Sequence, residues 1–344
     1  MSLISLLSIL SCKGYDNLTV EKFSAAIDSD PDAVLLDVRT PDEFSDGHIP
    51  GAVNIDVNSA GFKEEAAAAM APGSKVLVYC RSGRRSAVAA KTLDRLGFKV
   101  TNLEGGIIAW TQAGKPVTRY EVETFLTDSG KPVKITLIKH GSLEISYSGK
   151  SIQIDPVAAY GKKTDYSAEF PKADFILVTH EHPDHLEAST IDTLSCGATR
   201  LILNGTSHSI IGKGEVIANG ETTLLDLGSG ESILLEAVPA YNTTPGREKF
   251  HPKGNGNGYV FNIDGLRIYV AGDTEPVPEM AALKDIDVAF LPVNQPFTMT
   301  VDQCVDAART IRPKVLIPYH FSKTDISSLP EMLPDIDVRL RQMQ

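Results

Sequence analysis

The segment Thr179-His180-Glu181-His182-Pro183-Asp184-His185 constrains this chain most, because three imidazoles and two carboxylates lie within six residues, directly after the apolar run Phe175-Ile176-Leu177-Val178. The run reads as a buried strand and the polar segment as the loop at its end. A strand end can aim several side chains at one point, and imidazole with carboxylate suits zinc, with iron or manganese as competitors. Metal binding must rest on these groups. The four cysteines, Cys12, Cys80, Cys196 and Cys304, are too few and too scattered for a disulfide framework or a thiolate zinc site.

At 344 residues the chain exceeds what one hydrophobic core usually organises, so two domains are expected. A net charge of -11 argues against nucleic acid or an anionic membrane surface as the main partner. Residues 1–14 form a separate segment, in which Leu3 to Cys12 resembles the apolar core and cleavage box of a bacterial lipoprotein signal. No Lys or Arg precedes that run. Two readings stand: a lipid anchor at Cys12 with an envelope location, or a short amphipathic helix with a buried Cys12 in a cytoplasmic protein.

From Leu18 onward short apolar runs alternate with helical patterns. Ala33-Val34-Leu35-Leu36 and Lys75-Val76-Leu77-Val78-Tyr79 read as strands, and Ser86 to Leu96 as a helix closed by Gly97. Alternation of this kind predicts an α/β domain with a parallel sheet over residues 15–118. Thr40-Pro41-Asp42-Glu43 offers a helix N-cap with proline in the first turn. A polar stretch over residues 119–132 reads as a linker. From 133 to 344 many short strands, punctuated by glycine turns and few helices, predict two packed sheets flanked by helices, an αββα sandwich. Thr300 and Gln303 form a capping-box pattern before a helix over Val301 to Ile311.

Cys80 lies 100 residues before His180, between a strand and a helix, in Cys80-Arg81-Ser82-Gly83-Arg84-Arg85-Ser86. A helix N-terminus and three nearby arginines favour the thiolate, and successive loop amides can cradle an anion. With Leu36-Asp37-Val38-Arg39, Gly47-His48-Ile49-Pro50-Gly51-Ala52 and Leu103-Glu104-Gly105-Gly106, this loop resembles the rhodanese family. The resemblance implies sulfane-sulfur transfer through a Cys80 persulfide, with a small-molecule sulfur donor and an acceptor thiol as partners. It makes Cys80, Arg81 and Arg85 catalytic and places Ser82, Gly83 and Arg84 around the substrate. Four residues separate Cys80 from Arg85, the sulfurtransferase length; related phosphatases insert one more. Asp37 and Arg39 are expected to tie the loop down, and His48 to be structural.

His180-x-His182-x-Asp184-His185 is similar to the signature of the metallo-β-lactamase superfamily, and the likeness spans roughly Ile135 to Phe321. Carried over by position, His180 and His182 bind one ion, and Asp184 and His185 the second. Asp273 in Ala271-Gly272-Asp273-Thr274 is the bridging carboxylate, and His320 in Ile317-Pro318-Tyr319-His320 the last ligand. One position departs from the pattern. Where much of the superfamily has a third histidine, this chain reads Val238-Pro239-Ala240-Tyr241-Asn242. His251 is the candidate replacement, and Tyr241 is expected to face the substrate and stabilise its oxyanion. His140 is read as a structural histidine, Asp155 as a residue that could orient a ligand, and Cys196 and Cys304 as packing residues.

Pro278-Glu279-Met280 and Thr298-Met299-Thr300 resemble the branch containing ascorbate-6-phosphate lactonase, although Asn294-Gln295 stands where that branch often has paired glycines. The leading expectation is therefore a sulfurtransferase joined to a metal-dependent hydrolase of an ester, lactone, thioester or phosphodiester, with one or two zinc ions. The alternatives are an iron-dependent persulfide dioxygenase and a degenerate metal-binding scaffold. Domain order and the absent third histidine argue against the dioxygenase. The surviving Asp184 and Asp273 argue against the scaffold.

Overall fold

The computed structural model describes residues 14–30, 33–161, 163–228, 230–341 and 343; Cys12 and the signal reading of its neighbours lie outside them. Internal contacts divide the chain into two compact units, Met1–Glu121 and Val122–Gln344.

In the first unit, β1 (Asp16–Leu18), β2 (Val34–Asp37), β3 (Val53–Asn54), β4 (Lys75–Tyr79) and β5 (Lys99–Leu103) form one parallel sheet in the order β1-β5-β4-β2-β3. A parallel sheet is covered on both faces, so its strands are apolar on alternate residues of both parities. Leu36, Val76 and Val78 pack with Ala89, Ala90 and Leu93 on one face. Leu35, Leu77 and Tyr79 pack with Phe23, Ile107 and Trp110 on the other. The helix Pro41–Ser45 opens with a full capping box, in which Thr40 and Glu43 satisfy each other's backbone N–H. The helix expected from Ser86 begins two residues earlier and spans Arg84–Arg95, which brings its N-terminus to the Cys80 loop.

The second unit is built on two seven-stranded sheets. The first takes β6 (Glu121–Leu126), β7 (Pro132–Lys139), β8 (Ser142–Tyr147), β9 (Lys150–Ile154), β10 (Phe175–Val178), β11 (Arg200–Leu203) and β12 (Glu215–Val216) in reverse chain order. The second runs in chain order through β13 (Thr222–Gly228), β14 (Glu231–Ala240), β15 (Gly256–Ile263), β16 (Leu266–Val270), β17 (Val288–Pro292), β18 (Val315–Tyr319) and β19 (Asp337–Val338). Each sheet is antiparallel on one side and parallel on the other. One strand falls in the stretch read as linker. β6 is a short edge strand, and its buried Glu123 accepts from Arg339 and Arg341, contacts no local pattern reveals.

Side chains from the inner faces, among them Ile135, Leu143 and Leu177 with Leu235, Phe261 and Phe290, make one core. Each such burial contributes about 1.5–3 kcal/mol. The helix Val301–Ile311, opened by the expected Thr300–Gln303 capping box, covers the outer face of the second sheet through Cys304, Val305, Ala308 and Ile311. The architecture is the αββα sandwich. Cys304 is buried as expected, and burial pushes its thiol up to about 12. Cys196 instead sits exposed in the turn after the helix Ala188–Leu194, where Thr199 Oγ1 lies 3.4 Å from its sulfur.

Candidate metal centre and thiol site

Six strand ends supply the histidine cluster. His140 follows β7, Asp155 follows β9, the His180–His185 loop follows β10, Asn242 and His251 lie between β14 and β15, Asp273 follows β16, and His320 follows β18. His140, Asp155 and His320 take positive φ of 45°, 46° and 49°, a left-handed conformation that costs about 1–3 kcal/mol and gathers at functional sites. Gly141 is obligatory for a different reason. A Cβ there would stand 2.7 Å from Cε1 of His185.

His180, His182, His251 and Asp273 present ligand-type atoms within 4.8 Å of one another, as do His185, Asp273 and His320, and His140, Asp184 and His320. Asp273 Oδ2 lies 3.9 Å from His180 Nε2, 3.3 Å from His251 Nε2 and 3.4 Å from His320 Nε2, while Oδ1 lies 3.4 Å from His185 Nε2. Those four Nε2 atoms and Asp273 Oδ1 are buried without a hydrogen-bond partner. An unsatisfied buried polar atom costs about 1–3 kcal/mol, so a converging set of them fits cations rather than an apolar core.

Of the opposite ring nitrogens, those of His180, His185 and His251 are engaged, while His320 Nδ1 has no hydrogen-bond partner among the described residues. His185 Nδ1–H donates to Asp155 Oδ2 at 2.7 Å, and His180 Nδ1–H donates to Thr179 Oγ1 at 3.0 Å, whose hydroxyl donates to the same carboxylate at 2.6 Å. Asn242 gives its Nδ2 hydrogen to Phe297 O at 2.7 Å, which leaves its Oδ1 to accept from His251 Nδ1–H at 2.8 Å. Each contact fixes a tautomer and turns the Nε2 lone pair inward, as metal-binding histidines require. Burial, aided by neighbouring histidines, holds His180 well below the ordinary imidazole range, in the neutral form a ligand needs. Burial alone would lower His185 too, but Asp273 and Asp155 outweigh it and raise that group well above its ordinary value. Burial would raise Asp273, yet the charges of His320 and His185 bring it well below the carboxylate range.

The expected ligands His180, His182, Asp184, His185, Asp273 and His320 are brought together, and His251 joins them where the third histidine was absent from β14. Tyr241 requires correction. It is only 6% exposed within the core behind the second sheet, and its hydroxyl donates to Glu279 Oε2 at 2.9 Å and accepts from Lys253 Nζ at 3.0 Å. That hydroxyl is committed elsewhere than to a substrate. Sequence reasoning passed over Asn242, whose partner is nine residues away across a loop, and treated His140 as structural. His140 Nε2 lies 3.2 Å from Asp184 Oδ2, and its ring lies 3.7 Å from that of His320, tilted by 38°.

In the first unit, Cys80 is buried at the end of β4, and its sulfur accepts from Gly83 N at 3.2 Å and Ser86 Oγ at 3.4 Å. Burial alone would raise the thiol, but the Ser86 hydroxyl and the Ser86, Ser82 and Gly83 amides outweigh it, and the net shift is downward. The arginines act differently from expectation. Arg85 pairs bidentately with Glu43 at 2.7 Å and 2.7 Å, holding that carboxyl at about 2, and Arg81 and Arg84 are exposed. Gly106 lets the loop close, because a Cβ there would stand 2.4 Å from Cys80 O. Asp37 and Arg39 form a buried pair at 2.6 Å, with Arg39 also donating to Gly47 O. His48 stacks on Phe44, with its ring nitrogens at the Phe44 and Tyr120 carbonyls, a structural role.

A strained ring of histidines and carboxylates at the strand ends of an αββα sandwich defines a class of metal-binding domain, and comparison with known proteins places it. Residues 134–320 match the Beta-lactamase superfamily domain, and the chain belongs to that family. Residues 19–113 match the Rhodanese-like domain. A metal-dependent hydrolase of Ligilactobacillus salivarius is 31% identical over 214 residues, covering 59% of this chain and 94% of that protein. One from Thermococcus kodakarensis is 30% identical over 199 residues, covering 55% of this chain and 85% of the relative. A solved structure from Parabacteroides distasonis, also described as a metal-dependent hydrolase, is 52% identical with a TM-score of 0.61, covering 65% of this chain and all (100%) of that one. The C-terminal domain is a metallo-β-lactamase-fold domain of the metal-dependent hydrolase kind, preceded by a rhodanese-like domain.

Proposed function

We propose that the chain is bifunctional, hydrolysing an ester, lactone, thioester or phosphodiester at a two-ion centre and moving sulfane sulfur through Cys80. The observation that carries the hydrolytic part is the set of unpartnered, buried Nε2 atoms converging on Asp273. His180, His182, His251 and Asp273 would hold one ion, and Asp184, His185, His320 and the shared Asp273 the other. Divalent ions, zinc foremost, supply Lewis acidity for a carbonyl or phosphoryl oxygen and acidify a water at neutral pH. Asp184 is less buried than the other carboxylates, and its Oδ2, held by His140, is suited to orienting the attacking water.

At Cys80 the thiolate attacks the outer sulfur of a donor such as thiosulfate, the S–S bond breaks, and sulfite leaves with the bonding electrons. An acceptor thiolate or cyanide then takes that sulfur and restores the Cys80 thiolate. The amides of Ser82, Gly83 and Ser86, already directed at the sulfur, support the persulfide anion.

Metal analysis of protein purified without added metal, followed by assays with ester, lactone and phosphodiester panels, tests the first activity. Zinc with turnover supports it; stoichiometric iron with oxygen uptake on glutathione persulfide contradicts it in favour of a dioxygenase. For the second, Cys80→Ser is expected to abolish thiocyanate release from thiosulfate and cyanide. Undiminished release would contradict persulfide chemistry.

A further inference from the structure

Tyr160 lies between β9 and the helix Tyr166–Glu169, in a segment held close to the metal centre. Glu187 Oε2 accepts from Ala158 N at 2.6 Å and Ala159 N at 3.1 Å, and Lys139 Nζ donates to Ala158 O at 2.8 Å. The turn that presents the tyrosine is therefore fixed immediately before it. The Tyr160 ring lies 4.7 Å from the His140 ring, which in turn packs against His320 at 3.7 Å and reaches Asp184.

Its exposure sets Tyr160 apart. Tyr147, Tyr166, Tyr241, Tyr259, Tyr269 and Tyr319 of the same unit are buried at 6% or less, whereas Tyr160 is 42% exposed. Among the described residues its hydroxyl has no hydrogen-bond partner. Partial burial and the charges of Asp184 and Asp273 raise the phenol above its ordinary range, so it stays a protonated donor. A neutral donor has a specific advantage here. A lysine at this place would pair with the carboxylates, while a phenol remains available to an oxygen arriving from solvent.

We propose that the Tyr160 hydroxyl contacts the substrate, donating a hydrogen bond to its oxyanion at the mouth of the centre, the role expected of Tyr241. The inference rests on the hydrolase reading. Tyr160→Phe removes the hydroxyl and keeps the ring on His140, so zinc content is expected to match the wild type. In the zinc-reconstituted full-length protein, loss of one neutral hydrogen bond should weaken inorganic phosphate binding, measured by calorimetry, about three- to tenfold. kcat/KM for p-nitrophenyl esters, a lactone and bis(p-nitrophenyl) phosphate should fall by a similar factor. Wild-type activity or phosphate binding left unchanged in the variant overturns the assignment alone. Loss of zinc from the variant also overturns it, because the residue would then be a support for His140. A zinc-loaded wild type that neither binds phosphate nor turns over any probe overturns the hydrolase reading, and this assignment with it.

Discussion

At His251 the local sequence offered only nearness to the expected position, and the side chain's value as a ligand depends on Asn242, nine residues away. With its Nδ2 held by Phe297 O, Asn242 has a single orientation and enforces one imidazole tautomer. Asn242→Ala is expected to weaken zinc binding at the His180–His182–His251 group about 10- to 100-fold in a chelator competition, with the other group much less affected. Tyr241 stands beside the missing histidine in sequence, but that nearness does not aim its ring at the centre. The chain direction after β14 turns its ring into the core with Val238 and Met280 instead. The lowered Cys80 thiol expected from its strand-to-helix loop is present, with a cause other than the expected one. Ser86 and the loop amides, rather than the arginines, outweigh burial. Iodoacetamide alkylation of Cys80 should therefore show a midpoint below the ordinary thiol value of 9.0, and Ser86→Ala should move it upward.

At the scale of elements, period-2 patterning and helix caps were legible because they are local. The Thr40 and Thr300 capping boxes and the strands bearing the motifs all form where spacing places them. β6 was not legible, since Glu123 is satisfied by arginines more than two hundred residues away. The Glu43–Arg85 pair is a tie of the same non-local kind, joining the helix Pro41–Ser45 to the start of the helix Arg84–Arg95. Glu43 is depressed from 4.5 to about 2, mainly by Arg85. A carboxyl lowered on folding stabilises fully above its unfolded value and loses that contribution as pH falls through the folded one. The melting-temperature gap between wild type and Glu43→Gln should thus be constant above about pH 5.5 and shrink between pH 4.5 and about 2. Both side chains are partly exposed, so the gap should also narrow in high salt. A gap that widens on acidification contradicts this assignment.

For the whole molecule, two different sheet architectures on one chain were readable from changes in element rhythm, and the family matches bear out both fold classes. The ligand set was readable in its linear motif and opaque where it depends on which strand ends the two sheets bring together. His140 and Asn242, which hold Asp184 and His251 in place, belong to that second category. His251 is proposed to complete a two-ion centre in which Asp273 is shared. Zinc stoichiometry by elemental analysis, on wild type and His251→Ala prepared in parallel and dialysed against limiting chelator, tests it most directly. The expected result is two zinc ions per wild-type chain and about one per variant chain, with the variant still folded by circular dichroism. A folded variant that retains the full wild-type complement contradicts the claim.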